Sequence, residues 1–225
     1  YTVDLIDGVA VKDIDDYGED FNVEVTYNGD LKYLPNVNST TFGIIDNIVT
    51  PEDFYTYFEN DGDLRNVVSY DELIFKGEFN DFPTIFIDRA IILTGDEAVF
   101  NNFGFEVTAS DVTIQGFNIS YISDEGAIAI NVLDSDGIVI KNNNIYFESH
   151  VSDDSEYSCA INIDRVDDIL VEGNKVKTSM PGLYVSNYDW NYMLMGLNTV
   201  NPVRIKNANG LEFINNDVFT EFNEA

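Results

Sequence analysis

Histidine and cysteine, which carry much of the metal and nucleophilic chemistry of proteins, occur once each in this chain, as His150 and Cys159. A structural zinc site draws four ligands mainly from such residues, so one of each excludes a zinc site of the usual kind. A single cysteine also excludes a disulfide within the chain. The remaining candidates for chemistry are carboxylates and the few basic side chains.

Carboxylates are abundant: 41 Asp and Glu face 11 Lys and Arg, which gives a formal net charge of −30. A surface this acidic repels nucleic-acid phosphates and anionic lipids, so we expect neither as a partner. It also repels polyanionic substrates unless divalent cations intervene. With so many acids, neighbouring carboxylates in the sequence are no indication of the acid pair that glycoside hydrolysis needs.

One acidic stretch, Asp134-Ser135-Asp136-Gly137, resembles the centre of a calcium-binding loop. The bidentate Glu expected six residues after the glycine is absent, because Asn143 stands there. We interpret the stretch as a polar corner before a strand. The sequence predicts no cofactor beyond weak binding of Ca²⁺ at the acidic surface.

Two segments combine aromatic residues with Asn and Asp, the combination that sugar recognition uses: a flat apolar ring beside hydrogen-bonding groups. They are residues 147–158 and 178–201. The candidate ligand-binding residues are Asp153, Asp154, Tyr157, Tyr184, Tyr188, Trp190 and Tyr192. The alternative is that Trp190 and the nearby methionines fold back to cover a sheet or cap an end, because this stretch is too apolar to lie wholly in water.

These segments are the variable part of an internal repeat, which has to be recognised before any local assignment. Four copies of an apolar-x-apolar unit begin at Val112, Ile138, Ile169 and Leu211, so the periods are 26, 31 and 42 residues. In each copy a second strand's apolar residue lies 7 positions later, and a third strand precedes three of the copies by 8 positions. Only the connection from the second to the third strand changes in length.

Two constant spacings and one variable connection are what a coil of three short strands requires, since equivalent strands must superimpose from turn to turn. Gly or Asn occupies the same corner position in all four copies: Gly116, Asn142, Gly173 and Asn215. Both residue types tolerate a positive φ angle. We predict an all-β chain that forms a right-handed parallel β-helix with three strands per coil; the alternative is a β-sandwich. Asn118 and Asn144 suggest a partial amide ladder after the corner, which Lys175 and Asp217 interrupt.

Residues 1–45 differ in sequence pattern from the rest of the chain: they are acidic, and their alternation of apolar and polar residues is short and interrupted. This pattern predicts an extended arm or a small hairpin. Residues 46–225 form the predicted β-helix with its N-terminal cap. Thr50-Pro51-Glu52-Asp53 is a helix start that predicts a capping helix over about 51–59, with Phe54, Tyr57 and Phe58 on one face. The abrupt ends at Tyr1 and Ala225 indicate a piece of a longer polypeptide.

Two stretches carry a resemblance to a known family. Residues 71–79 (Asp-Glu-Leu-Ile-Phe-Lys-Gly-Glu-Phe), followed by residues 91–95 (Ile-Ile-Leu-Thr-Gly), resemble the N-terminal coils of adhesin-like surface proteins of methanogenic archaea. The repeat at 136–145 belongs to the same broad family. The resemblance covers about residues 50–225 and implies a right-handed parallel β-helix related to pectate lyases. It also implies secretion, cell-surface display and adhesion.

The enzymatic relatives of that family set a test for catalysis. Arg204-Ile205-Lys206 matches a short polygalacturonase motif, but the Gly-His-Gly motif is absent and His150 lies in an acidic segment. No cluster of calcium-binding acids with a basic residue is evident in the repeat strands. We therefore favour a protein without catalytic activity, and we predict no catalytic and no metal-binding residues.

The sequence thus predicts a secreted, cell-surface, adhesin-like segment that binds a glycan or a protein on another cell through the loops 147–158 and 178–201. The rival hypotheses are a polysaccharide lyase or glycoside hydrolase, and a purely structural spacer. No run of about 18 apolar residues is present, so we expect no membrane insertion within this segment. Asn38, in Asn38-Ser39-Thr40, is the candidate for N-glycosylation.

Overall fold

The structure is a computed structural model that describes residues 21–28, 32–42, 46–66, 68–123, 126–149, 158–181 and 200–223. The chain divides into two compact units, Tyr1–Asp46 and Asn47–Ala225.

In the first unit the described residues form one antiparallel pair of strands, β1 (Phe21–Tyr27) and β2 (Asn36–Phe42). The pair runs in register from Phe21 opposite Phe42 to Tyr27 opposite Asn36. Asn38 is exposed on β2 and lies opposite Val25, which is also exposed. A pair of strands with this much apolar exposure is marginal by itself, because little surface is removed from water.

The second unit consists of short strands and one short helix, α1 (Phe54–Tyr57). The strands are β3 (Ile48–Val49), β4 (Glu72–Phe75), β5 (Glu78–Asn80), β6 (Ile85–Ile87), β7 (Ile91–Gly95), β8 (Val99–Asn101), β9 (Phe105–Val107), β10 (Val112–Gln115), β11 (Asn118–Ser123), β12 (Ile128–Lys141), β13 (Asn144–Ser149), β14 (Ser158–Glu172), β15 (Lys175–Pro181), β16 (Val200–Lys206), β17 (Glu212–Ile214) and β18 (Asp217–Asn223).

These strands form two parallel sheets. A ten-stranded sheet has the path β16-β14-β12-β10-β7-β4-β3, with β17 beside β14, and with β9 pairing both β12 and β6. A six-stranded sheet has the order β18-β15-β13-β11-β8-β5. The described chain is therefore all-β with long parallel sheets, as predicted. The repeat predicts a third strand followed by a separate first strand of the next copy. In β12 and in β14 these two strands form one continuous element that runs through the corner between them.

The strands pair in the register that the repeat predicts. Thr113 pairs with Val139, Val139 with Leu170 and Leu170 with Glu212, which reproduces the steps of 26, 31 and 42 residues. The second strands keep the same steps: Ile119 pairs with Ile145, Ile145 with Val176 and Val176 with Val218. Because like positions lie side by side, inward rows of Val and Ile stack on one another.

The predicted corner position has the predicted backbone conformation in all four copies. Asn142 and Asn215 have φ angles of 55° and 53°, and Gly116 and Gly173 have 77° and 65°. A Cβ added at Gly173 would lie 2.6 Å from Oδ1 of Asn142. Glycine is needed there for space as well as for conformation.

The helix is shorter than the predicted span of about 51–59. Residues 51–53 form turns, and Asp53, not Thr50, is the N-cap residue of α1. The Asp53 carboxylate accepts a hydrogen bond from the backbone N–H of Thr50 (2.6 Å), which closes the turn before the helix begins. Phe58 adopts an extended conformation and pairs with Leu64, so the helix ends after one turn.

The helix nevertheless packs where a cap is expected. Phe54, Tyr57 and Phe58 are buried, as their spacing predicts. The Tyr57 hydroxyl donates a hydrogen bond to the carbonyl of Ile48 on the edge strand β3 (2.7 Å). The helix therefore satisfies a backbone acceptor at the edge of the ten-stranded sheet.

The interior changes character along the second unit. The first coils are packed by phenylalanines: the ring centroids of Phe75 and Phe100 are 5.5 Å apart, and those of Phe100 and Phe117 are 4.9 Å apart. All three side chains are 0–1% exposed. From Asn143 onwards the position equivalent to Phe117 is occupied by asparagine, in Asn143, Asn174 and Asn216, which we name the asparagine ladder.

Each rung of the asparagine ladder bonds to the next. Oδ1 of Asn174 accepts hydrogen bonds from the backbone N–H (3.0 Å) and the side-chain amide (3.1 Å) of Asn143. Oδ1 of Asn216 does the same for Asn174, at 2.9 Å each. At the other end, the backbone N–H of Phe117 donates to Oδ1 of Asn143 (3.0 Å). The ladder lies one residue before the predicted Asn118–Asn144 pair, which is joined by one bond of 3.3 Å.

Candidate functional site

The predicted ligand-binding residues lie outside the described residues. These residues are Asp153, Asp154, Tyr157, Tyr184, Tyr188, Trp190 and Tyr192. Their assignment stays a prediction.

The strands that bear the two long loops are described, and they are neighbours. The first loop leaves β13 after Ser149 and returns at Ser158 of β14; the second leaves β15 after Pro181 and returns at Val200 of β16. Strand β13 pairs with β15, and β14 pairs with β16 with Ser158 opposite Val200. At the base of the first loop the Ser149 and Ser158 hydroxyls are hydrogen-bonded at 3.0 Å. Both loops therefore begin and end side by side on paired strands.

Next to these loop bases, the outer face of the six-stranded sheet carries an aromatic and basic cluster. Tyr146, Lys177 and Phe219 occupy equivalent outward positions on β13, β15 and β18, and we name them the aromatic–lysine row. Nζ of Lys177 lies 5.8 Å from the ring centroid of Tyr146 and 5.6 Å from that of Phe219. These distances fit cation–π contacts on both sides of one ammonium group.

Two carboxylates flank the aromatic–lysine row. Nζ of Lys177 is 2.7 Å from Oε2 of Glu221, and the Tyr146 hydroxyl donates to Oε2 of Glu148 at 2.5 Å. The hydrogen bond to Glu148 is the largest cause of a raised pKa of the Tyr146 phenol, and partial burial adds to it. The phenol therefore stays protonated and fixed, with its ring beside the ammonium group.

A second polar surface lies at the corner inside β12 and β14, where Asp134, Asp136, Arg165, Asp167 and Asn207 line an open cleft of about 400 Å³. Arg165 binds both oxygens of Asp134, with Nε–Oδ1 at 2.5 Å and Nη2–Oδ2 at 2.8 Å. Such a two-pronged contact fixes both partners. Nη1 of Arg165 also donates to Oδ2 of Asp164 (3.0 Å), next to Arg165 in the chain.

This cleft combines carboxylates with a basic residue, as lyase or hydrolase chemistry would, but the Asp134–Arg165 pair within it does not have the pKa shifts expected of a general acid and a basic catalyst. The hydrogen bond from Arg165 is the main cause of a lowered pKa of Asp134, whereas a general acid needs a raised pKa. The hydrogen bond to Asp134 in turn raises the pKa of Arg165, whereas a basic catalyst needs a lowered one. The Asp134–Arg165 pair therefore joins successive copies of the repeat.

The calcium-like stretch Asp134–Gly137 forms this corner within β12. The Asp134 carboxylate is already bound by Arg165. In the described ranges no group of three or more Asp, Glu, His or Cys side chains is arranged to hold a metal ion.

The motif Arg204-Ile205-Lys206 lies on β16. Nη1 of Arg204 donates to Oδ1 of Asn162 (3.0 Å), and Asn162 donates to Asn131 (2.8 Å), so Arg204 ends a row of polar side chains on the ten-stranded sheet. Cys159 is buried, and its thiol donates to the carbonyl of Ile161. Among the described residues, no helix has the length and apolar character that crossing a membrane requires.

Sequence reasoning missed the aromatic–lysine row, because a tyrosine, a lysine and a phenylalanine share no residue type. The available signal was position: each one directly follows the last apolar residue of its repeat copy, at Ile145, Val176 and Val218. Comparison with protein families, curated proteins and solved structures finds no match for this chain.

Proposed function

We propose that the second unit is a right-handed parallel β-helix with three strands per coil. Strands pair with the same register steps, 26, 31 and 42 residues, in both sheets, which supports this arrangement. The positive φ angles at every equivalent corner support it as well. Right-handedness follows from the strong preference of parallel crossover connections for that hand.

We further propose that this β-helix is a non-catalytic, secreted, surface-displayed segment that binds a glycan on another cell through the loops 147–158 and 178–201. The observation that carries the proposal is the pairing of β13 with β15 and of β14 with β16. Because of this pairing, both loops begin and end on neighbouring strands, at the same edge of the predicted β-helix. Variable loops on a regular scaffold are where binding usually resides. A protein partner would use the same edge.

The net charge of the chain limits the chemical classes of partner that it can bind. A net charge of −30 disfavours polyanions such as nucleic acids. Aromatic residues beside Asn and Asp in both loops suit hydroxyl-rich, uncharged sugars, since rings cover the apolar face of a sugar and the polar groups bind its hydroxyls.

The test replaces residues 182–199 by Asp-Glu-Gly-Ala, the sequence of residues 124–127 that joins β11 to β12 at the same corner. Glycan-array binding of the whole chain is measured before and after the change, with circular dichroism as the check on folding. We expect the parent to bind glycans and the loop variant to lose binding while remaining folded. Unchanged binding by the folded variant would remove this loop from the site.

The two rival functions have their own readouts. Turnover of acidic or neutral polysaccharides by the purified chain, with or without Ca²⁺, would replace the adhesin proposal with an enzyme. A folded chain that binds neither the glycan array nor cells would favour a structural spacer.

A further inference from the structure

The aromatic–lysine row extends a longer row along the outer face of the six-stranded sheet. Backbone pairing aligns six equivalent residues on six successive strands in one line: Asn80, Asn101, Ser120, Tyr146, Lys177 and Phe219. Asn101 donates to Oδ1 of Asn80 at 2.8 Å. The line is polar at one end and aromatic at the other.

The aromatic end lies at the surface. Phe219 is 44% exposed and the Lys177 side chain is 36% exposed. Exposed ion pairs and cation–π contacts of this kind add little to stability, about 1 kcal/mol or less each. Phe219 shares this outward face with one other strongly exposed apolar side chain, Ile122 of β11, which is 49% exposed, and with many charged and polar residues. The exposed ring of Phe219 is therefore poorly explained by folding alone.

The spacing of this row suits a linear polymer. Neighbouring strands lie about 4.8 Å apart, so successive members of the row repeat at that distance and the two rings are about two strand spacings apart. One strand spacing is close to the length of one sugar ring along an extended polysaccharide. Alternate sugars could therefore lie against Tyr146 and Phe219, with the sugar between them beside Lys177.

We propose that the aromatic–lysine row is a binding platform for an uncharged, extended polysaccharide that runs along the stack of strands. The rings supply apolar contact with the sugar faces, and Lys177, Glu148 and Glu221 supply donors and acceptors for hydroxyl groups. The net charge of −30 disfavours an acidic polymer. This inference rests on the proposal that the chain binds glycans, but it assigns binding to strand residues outside the loops.

The experiment measures binding of cellohexaose by calorimetry and retardation of the whole chain in gels containing hydroxyethylcellulose or galactomannan. Phe219→Ala is compared with Phe213→Ala, a matched control in which the same residue type is 43% exposed on β17 in the ten-stranded sheet. We expect Phe219→Ala to raise Kd by roughly tenfold, the upper end for one aromatic contact. Phe213→Ala should bind as the parent does.

Tyr146 offers a second comparison. Tyr146→Ala should weaken binding as Phe219→Ala does. Tyr146→Phe keeps the ring and loses only the hydroxyl group with its bonds to Glu148 and Ser179, so it should bind within about twofold of the parent. Urea midpoints of all variants check that folding is intact.

The outcomes separate this platform from the loop site. Loss of binding in Phe219→Ala and Tyr146→Ala, with binding kept when residues 182–199 are replaced, supports the platform and refutes the loop assignment. Loss only on loop replacement overturns the platform and leaves the loop proposal standing. Failure of the folded parent to bind any of these uncharged polysaccharides also overturns the platform, while glycan-array binding would still uphold the loop site.

Discussion

Substitution of Asn174 by alanine tests the view that the asparagine ladder stabilises the C-terminal coils. Asn174 is 1% exposed, and its side chain makes four hydrogen bonds. Its amide donates to the carbonyl of Ile140 and to Oδ1 of Asn216, at 2.9 Å each, and its Oδ1 accepts from the backbone N–H and side-chain amide of Asn143.

The cost follows from the groups left behind. Without Asn174 Oδ1, the buried backbone N–H of Asn143 loses its acceptor, which costs about 1–3 kcal/mol for an unsatisfied donor. Loss of the bonds to Ile140 and Asn216 adds about 1 kcal/mol each. We therefore expect the free energy of unfolding to fall by about 3–5 kcal/mol, at the upper end for a single substitution.

The assay is urea unfolding followed by circular dichroism, with Asn144→Ala as the control. Asn144 is exposed and has one long bond to Asn118, so its loss should change stability by less than about 0.5 kcal/mol. Asn216→Ala should cost less than Asn174→Ala, because Asn216 is the half-exposed last rung. Equal midpoints for Asn174→Ala and Asn144→Ala would refute the reasoning.

Two further predictions concern single side chains. The Tyr146 phenol has a raised pKa, so its contribution to stability is present below the ordinary tyrosine pKa and is lost as pH rises through the higher pKa of the folded state. In Glu148→Gln, the absorbance of the Tyr146 phenolate should appear at lower pH than in the parent, because the hydrogen bond to the Glu148 carboxylate is lost. An unchanged titration would contradict the role of Glu148. Ser135 is 7% exposed, and its hydroxyl is the one buried side-chain polar atom of the described residues without a hydrogen-bond partner. The repeat spacing places Ala109 and Ala208 at equivalent positions, so Ser135→Ala should raise the free energy of unfolding by about 1 kcal/mol, and a lower urea midpoint would contradict this.

Much of the strand register could be predicted, because stacking makes the constant spacings a physical requirement. Equivalent strands must match in length from coil to coil, so the 7- and 8-residue spacings fixed which residues pair. The corner position was predictable for the same reason: only Gly and Asn readily take the conformation that it needs.

The asparagine ladder was harder to find. Its first equivalent is Phe117, so the column mixes an aromatic residue with three amides, and buried asparagine is uncommon unless every bond is satisfied. The short helix was also missed in extent, because the pairing of Phe58 with Leu64 competes with further helical turns. Tertiary pairing of this kind leaves no local trace in the sequence.

The candidate binding residues could also be predicted only in part. Spacing identified the loops as the variable part, and the steps of 31 and 42 residues also make Tyr146, Lys177 and Phe219 equivalent positions. The row was missed because its three residue types differ, so no shared residue type drew attention to it. The Asp134–Arg165 pair is also one period of 31 residues apart, so the repeat places the two residues side by side; the contact between their side chains is what spacing alone did not give.

The change from phenylalanine to asparagine at Phe117 and Asn143 gives the two ends of the unit different responses to temperature. Apolar packing around Phe75 and Phe100 weakens on cooling, because its driving force is largely entropic near room temperature. The hydrogen-bonded ladder from Asn143 to Asn216 lacks that dependence. Packing of the phenylalanines therefore adds a cold-sensitive contribution to the stability of the N-terminal coils that the ladder does not add to the C-terminal ones.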